Sequence, residues 1–401
     1  VGVLQPASLD VMAQRVTDLE SFTPRICDAV VDDLRSRLRA TRWVDAPDGL
    51  GWDAGTDVTY LRDLVAYWAD GFDFSAHQAQ LSALPSRRAT IDGTRVHLLH
   101  ALATPRPGDA PPLPFLLAHG WPDSAWRYRK VVPLLTDPGA PAASDGAGRR
   151  TFDLVVPDMP GFGFSDIPTG PALDNRTVAA LWAELMTALG YDRFLVAGGD
   201  MGSHVARFLA LDFPDRVIAV HRTDAGLPLF AGDPASLTPQ ERDWLEESAR
   251  WRTTEGGYAA VQATKPQSLA VGLTDSPAGL AAWVVEKLRS WSDCDGDLES
   301  VYTRDEVLAL VTEHWAAGTF GAGLRAYRAN AAIPREQLAR YVEVPSGFSV
   351  FAGDVVRPPR AWLDRVANTV YATEPPRGGH FAPFEQPERY AQELRSFVDQ
   401  L

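Results

Sequence analysis

The stretch "LVAGGDMGSHVARFLA", residues 195–210, runs an apolar segment into two glycines, an aspartate, another glycine and a helix-like segment. That is the layout of a nucleophile elbow, where a strand turns sharply into a helix and presents one reactive side chain. The usual elbow reads G-x-S-x-G with a serine at its tip. Here the tip is Asp200, and no G-x-S-x-G occurs elsewhere in the chain. An elbow strains its central residue and brings strand and helix close together, so bulky neighbours clash. Gly198, Gly202 and Ser203 meet that demand. The competing reading of Asp200 is an ordinary cap on the following helix.

The flanking chain sets the fold in which that tip would act. "ATIDGTRVHLLHALA" (89–103) reads as two strands around an Asp92-Gly93 turn. "PFLLAHGWP" (114–122) and "TFDLVVPDMPGFG" (151–163) are short apolar runs ending in Gly and Pro, as buried parallel strands do. "TVAALWAELMTALG" (177–190) is a helix closed by Gly190, and "RFLVAGGD" (193–200) is the next strand. Alternating strand and helix predicts an α/β fold, a doubly wound and mostly parallel sheet that binds ligands beyond the C-terminal ends of its strands.

Residues 23–85 read as helices, with Ile26, Val30, Leu34 and Leu38 on one face and Tyr60, Leu64 and Trp68 on another. Residues 227–335 break the alternation and read as an inserted helical cap. The pattern then resumes with "GFSVFAGD" (347–354) and a last helix from 388. The expected organisation is a helical extension over 1–90, a first core part over 91–226, the cap over 227–335 and a second core part over 336–401.

The chain has 401 residues, 45% hydrophobic, with 52 acidic against 38 basic residues and a net charge of −14. No basic block stands out, so neither nucleic acid nor an anionic membrane is expected as a partner. Cys27 and Cys294 are the two cysteines, which fits a reducing compartment. No stretch approaches a membrane span, and residues 1–14 lack the basic start and apolar core of a secretory leader, so a cytoplasmic location is expected. Lysine occurs only at Lys130, Lys265 and Lys287, a bias expected of a GC-rich bacterial genome.

An aspartate nucleophile attacks saturated carbon and leaves an alkyl ester, which water must then hydrolyse with the help of a histidine oriented by a carboxylate. In the order nucleophile, acid, histidine, His380 in the loop "RGGHFAPFEQP" fills the last place. Asp354, at the expected end of the preceding strand, is the acid; Asp364 lies in a helix pattern and Glu374 too near the histidine loop. His97, His100, His204, His221 and His314 read as structural. The oxyanion site needs the N–H of Met201 and one from "AHGWPDS", assigned to Trp121. A halide leaving group wants N–H donors. An epoxide oxygen wants a donor protonated at neutral pH, for which Tyr258 and Tyr327 are candidates, though by spacing alone both read as core residues.

Together these segments resemble the microsomal-type epoxide hydrolases, α/β hydrolases with a distinctive N-terminal domain. "TRWVDAPDGLGWDAGTDVTYLRDLVAYWADGFDF", "HGWPDS", "DMPGFGFSDIP", "GGDMGSHVA" and "RGGHFAPFEQPE" carry the resemblance, over nearly the whole chain from residue 22. It implies a covalent ester on Asp200, His380 as base, Asp354 as acid, Tyr258 and Tyr327 as proton donors, "HGWP" at the oxyanion loop, and no metal or organic cofactor. His119, Pro122 and Met201 are expected to line the pocket. The implied partners are an epoxide and water, in a monomer or homodimer. Two positions depart from the family pattern: Met201 where relatives carry Trp, which implies a wider pocket for a bulky epoxide, and Asp123 where Gly is usual. Some similar enzymes of GC-rich actinomycetes serve antibiotic pathways, including enediyne biosynthesis. The alternatives are a haloalkane dehalogenase-like hydrolase, which shares Asp, His and acid but needs no tyrosines, and a non-catalytic protein of the same fold.

Overall fold

The computed structural model describes residues 16–140, 150–226, 230 and 232–401. The reading of residues 1–14 and the expected cap boundary at 227 lie outside the described residues. The centre is a nine-stranded sheet in the order β1-β2-β3-β5-β4-β6-β7-β8-β9. The strands are β1 Val16–Ser21, β2 Ser86–Ile91, β3 Thr94–Ala101, β4 Leu113–Ala118, β5 Phe152–Pro157, β6 Phe194–Gly198, β7 Val217–Arg222, β8 Val342–Ser349 and β9 Ala367–Thr373. The first three and β5 pair antiparallel; from β5 to β9 every pairing is parallel. All five residues of β6 are buried, because helices cover both faces of a parallel sheet. Asp92 and Gly93 form the expected hairpin turn, both with positive φ (48° and 78°).

Two strands lack a counterpart in the sequence reading. β1 is an edge strand whose residues are all at least partly exposed, so it carries no apolar alternation. β7, "VIAVHR", directly follows a helix and Phe213-Pro214-Asp215, and its short apolar run has no period of its own. β8 begins and ends earlier than expected. Asp354 therefore sits five residues past the strand, in a loop, rather than at its end. The helix between β8 and β9 is Arg360–Val366, because Ala367 already opens β9.

The N-terminal helices are Asp28–Arg39, Val58–Asp70 and Phe74–Ala83. The first buries Val31, Leu34 and Leu38, so Val31 replaces the expected Val30, and Ile26 precedes the helix. A strict spacing of four drifts around a helix of 3.6 residues per turn. In the second helix Leu61 and Val65 join Leu64 and Trp68 in the core, and Tyr60 stays half-buried. The Trp68 indole N–H donates to Thr312 Oγ1 at 2.8 Å, tying this layer to the helices between β7 and β8.

Those helices run from Pro239–Thr254 to Arg335–Leu338. Capping boxes start two of them, at Thr238 and Thr303. Cys27 and Cys294 are both free thiols. Among the described residues no single helix is long and apolar enough to cross a membrane.

Candidate active site

Five loops after consecutive C-terminal strand ends meet at one place. They carry Trp121 after β4, Asp200 after β6, Asp224 after β7, Asp354 after β8 and His380 after β9. Asp200 takes φ 55° and ψ −131°, off the usual basins for a side-chain-bearing residue. Such strain costs about 1–3 kcal/mol and persists only where the surroundings enforce it. Here they do. A Cβ on Gly198 would stand 2.3 Å from the Gly202 carbonyl oxygen, and one on Gly202 would stand 2.1 Å from that of Ala118. The Asp200 side chain makes no capping bond to the helix Met201–Asp212 that it precedes, so the capping alternative fails.

Asp200 Oδ1 accepts the Trp121 backbone N–H at 2.9 Å. His380 Nε2 lies 3.3 Å from Asp200 Oδ2, and His380 Nδ1 lies 2.9 Å from Asp354 Oδ1. The loops of acid and histidine are tied together where the Gly353 N–H donates to the Gly378 carbonyl at 2.9 Å. Burial by itself would lower the His380 pKa. The charge of Asp354 and the hydrogen bond to Asp200 outweigh burial and push it up to about 10. Burial by itself would raise the Asp200 carboxyl. The His380 bond, with the Trp121 and Met201 N–H groups, instead holds it below the usual carboxylate range.

Tyr258, on the helix Gly257–Thr264, stacks on Trp121 with ring centroids 5.3 Å apart and 11° between planes. Tyr327, on Phe320–Asn330, meets Tyr258 edge-on at 5.9 Å. Burial first, and then negative charge nearby including that of Asp200, raises both phenols above their ordinary pKa. They are protonated donors throughout the neutral range.

A cavity of about 570 Å³ opens over these groups. Asp200, Met201, Tyr258, Tyr327, Asp354 and His380 all line it. Trp251, Trp291, Phe208 and Val356 add apolar walls. His119 and Pro122 do not line it, contrary to expectation. His119 is wholly buried behind the loop, where its Nε2 accepts the Met159 N–H at 2.9 Å. Pro122 is buried too, and its carbonyl lies 3.1 Å from His314 Nε2.

Four of the five histidines read as structural do have structural partners. His97 pairs with Asp158 at 2.7 Å, His100 meets Tyr191 at 3.0 Å, and His221 meets Ser349 at 3.0 Å. His314 is the fourth, through Pro122. His204 departs from that reading, because it lines the cavity, and burial lowers its pKa to about 4, so the ring there is neutral.

Three further residues escaped the sequence reading. Asp224 Oδ2 accepts the Asp200 backbone N–H at 2.7 Å and its Oδ1 accepts that of Gly226 at 2.7 Å, which pins the elbow. Burial, aided by the Asp354 charge, pushes the Asp224 carboxyl up to about 6. Glu385 accepts the backbone N–H groups of Gly379 and Phe381, both at 2.9 Å, one on each side of His380. Trp291 packs edge-on against the His380 ring at 5.1 Å, and its carbonyl accepts the His380 N–H at 2.8 Å. None carries a local motif; each becomes visible only when distant segments meet. Among the described residues no group of three or more His, Cys, Asp or Glu is placed to hold a metal ion.

Residues 19–128 match the family profile described as epoxide hydrolase N terminus, and residues 114–270 match that of the alpha/beta hydrolase fold. A Stigmatella aurantiaca relative is 36% identical over 384 residues, 95% of this chain and 84% of its own length. Epoxide hydrolase 1 of Sus scrofa is 30% identical over 405 residues, 95% of this chain and 88% of its own. The chain belongs to the epoxide hydrolase family. The crystal structure of juvenile hormone epoxide hydrolase from the silkworm Bombyx mori superposes with a TM-score of 0.87 at 27% identity, covering 98% of this chain and 96% of that one. The α/β-hydrolase fold and hydrolase chemistry of the epoxide hydrolases therefore extend to this chain.

Proposed function

We propose that this epoxide hydrolase converts a bulky, largely apolar epoxide to a vicinal diol through an ester on Asp200. In the first step Asp200 Oδ2 attacks an epoxide carbon and the carbon–oxygen bond breaks. Tyr258 and Tyr327 hold the leaving oxygen, and one of them gives it a proton. The ionised state that Asp200 needs is favoured by the imidazolium of His380 beside it.

Forming the ester removes the charge of Asp200, one of the two carboxylates that raise His380. The imidazole then gives up its proton more readily, and the tyrosinate left by the first step is the nearby base that takes it. Neutral His380, oriented by Asp354, deprotonates a water that attacks Asp200 Cγ. The oxyanion forms on Oδ1, against the N–H groups of Trp121 and Met201, an effect worth roughly 3 kcal/mol per donor in comparable sites. Collapse expels the diol oxygen, which takes the proton from His380; the Asp200 carboxyl left behind then gives its remaining proton back to His380 and restores the carboxylate–imidazolium pair. One water is consumed, and its oxygen enters Asp200 before any reaches the diol.

The reading of the substrate as bulky rests on the cavity of about 570 Å³ with Met201 in its wall. That volume is within the range of sites that enclose drug-sized ligands. The observation that carries the function is the convergence of Asp200, His380 and Asp354 beneath two protonated tyrosines. A single turnover in heavy-oxygen water tests it. The first diol is expected to carry an unlabelled oxygen taken from Asp200; label in that first product rules out the ester.

A further inference from the structure

Asp123, the position that departs from the family pattern, has a partner. Its Oδ2 accepts from Arg127 Nη1 at 3.1 Å, and its Oδ1 accepts the Ser124 N–H at 3.0 Å. Both side chains are buried, 3% and 1% exposed. The other guanidinium nitrogen, Arg127 Nη2, donates to the carbonyl oxygen of His380. The same nitrogen lies against the elbow, since a Cβ on Gly199 would stand 3.3 Å from it. The guanidinium also lies over the Phe381 ring, 5.5 Å from its centroid. Arg127 thus sits between the nucleophile's loop and the histidine's loop without entering the cavity lined by Asp200 and His380. With Trp291 holding the His380 N–H, both backbone polar groups of the histidine are fixed.

We propose that Asp123 and Arg127 are positioning residues: an ion-paired staple that aligns His380 for hydrolysis of the ester and balances the charge the imidazole feels. This rests on the role of His380 as base proposed above. Attack by Asp200 on the epoxide uses Asp200 and the tyrosines, and needs little from the staple. Water attack needs His380 held in register with Asp200 Cγ, so an error of about 1 Å costs it on the order of a hundredfold.

The charge argument has a sign. Arg127 beside His380 disfavours the imidazolium, and Asp123 offsets that effect. The other charged groups around His380 are Asp200, Asp354 and Asp224 from the sheet loops and Glu385 from its own loop. Tyr258 lies above the nucleophile; Lys287 reaches the Trp291 ring, and Asp293 holds the Gly378 N–H. The variants below alter none of them.

The test is rapid quench with styrene oxide across pH, measuring ester on intact protein by mass and diol in solution. In Asp123→Asn and Arg127→Gln, hydrolysis is expected to slow at least about tenfold while ester formation stays within about threefold, so kcat and KM fall together. The acid limb of the hydrolysis step is expected to move to lower pH in Asp123→Asn, where the Arg127 charge is unbalanced. In Arg127→Gln the buried Asp123, already pushed up to about 6 by burial with its guanidinium in place, takes up a proton once alone, so the limb is expected to stay where it is. Arg127→Lys should recover part of the rate with an unshifted limb.

The double variant Asp123→Asn/Arg127→Gln leaves no unpaired buried charge and guards against loss of the fold. It should form ester normally, hydrolyse it slowly and show an unshifted limb. Equal slowing of both steps, or a limb that rises or stays in place in Asp123→Asn, overturns the staple. His380→Gln run alongside separates the two ideas. If it accumulates ester while the staple variants behave as wild type, only the staple fails; if it accumulates none, the assignment of His380 as base fails.

Discussion

His380 faces Asp200 across 3.3 Å, Nε2 to Oδ2, with its other ring nitrogen on Asp354. In the mechanism proposed above, the same imidazole stabilises the carboxylate before the first step and directs water at the ester after it. Replacing His380 by Gln removes the base but keeps the elbow. Turnover is expected to fall by about 10²–10⁴, with protein mass increased by that of one epoxide, located on Asp200 by peptide mapping. A variant that loses activity without gaining mass contradicts the sequence of steps.

Tyr258 and Tyr327 lie edge-on to each other and line the cavity with Asp200. Tyr258→Phe or Tyr327→Phe is expected to cut the rate of ester formation by about 10²-fold, and the double change to abolish it within detection. An alkyl halide needs no proton on its leaving group, so unchanged epoxide turnover in either variant would favour the dehalogenase-like alternative.

The two kinetic constants should respond differently to pH. Asp200 is held ionised well into the acid range and the tyrosines stay protonated, so kcat/KM is expected to be flat from about pH 5 to about pH 9. It should not fall as pH rises through about 10, because the Asp200 carboxylate stays ionised when His380 loses its proton. Hydrolysis requires neutral His380, so kcat should instead fall at low pH, with the pKa of the ester form, below that of the free enzyme. Parallel profiles for kcat and kcat/KM would refute the change of role.

Met201 borders both the nucleophile and the cavity. Met201→Trp should narrow the pocket, lowering kcat/KM for polycyclic epoxides at least about tenfold while leaving styrene oxide within about threefold. Equal loss on both would place the effect in the elbow rather than the pocket.

Glu241 and Arg365 join the helix Pro239–Thr254 to Arg360–Val366, with contacts of 2.8 and 3.1 Å. The Arg365 hydrogen bond holds the Glu241 carboxyl down to about 2, against 4.5 for the free side chain. A depressed carboxylate stabilises the fold above its unfolded pKa, and that contribution is lost as pH falls from about 4.5 towards 2. Glu241→Gln is expected to cost about 1.5–3 kcal/mol at neutral pH, read by urea denaturation, and to flatten the acid dependence of stability.

The sequence by itself determined the class of fold, the elbow and the identity of its tip. Gly198 leaves no space for a side chain against the Gly202 carbonyl four residues on, and that constraint is local. It also pointed to His380, because a Gly-rich loop before the last helix is a local pattern. Tertiary structure decided which partners reach these residues. Asp224, Glu385 and Arg127 act through backbone groups of residues 24, 6 and 253 positions away, and such bonds leave no mark in residue spacing. The same holds for His119 and His204. One was expected at the pocket and is wholly buried, the other was read as structural and lines the cavity, because the packing of loops over the sheet, and no feature of their immediate sequence, sets which histidine borders it.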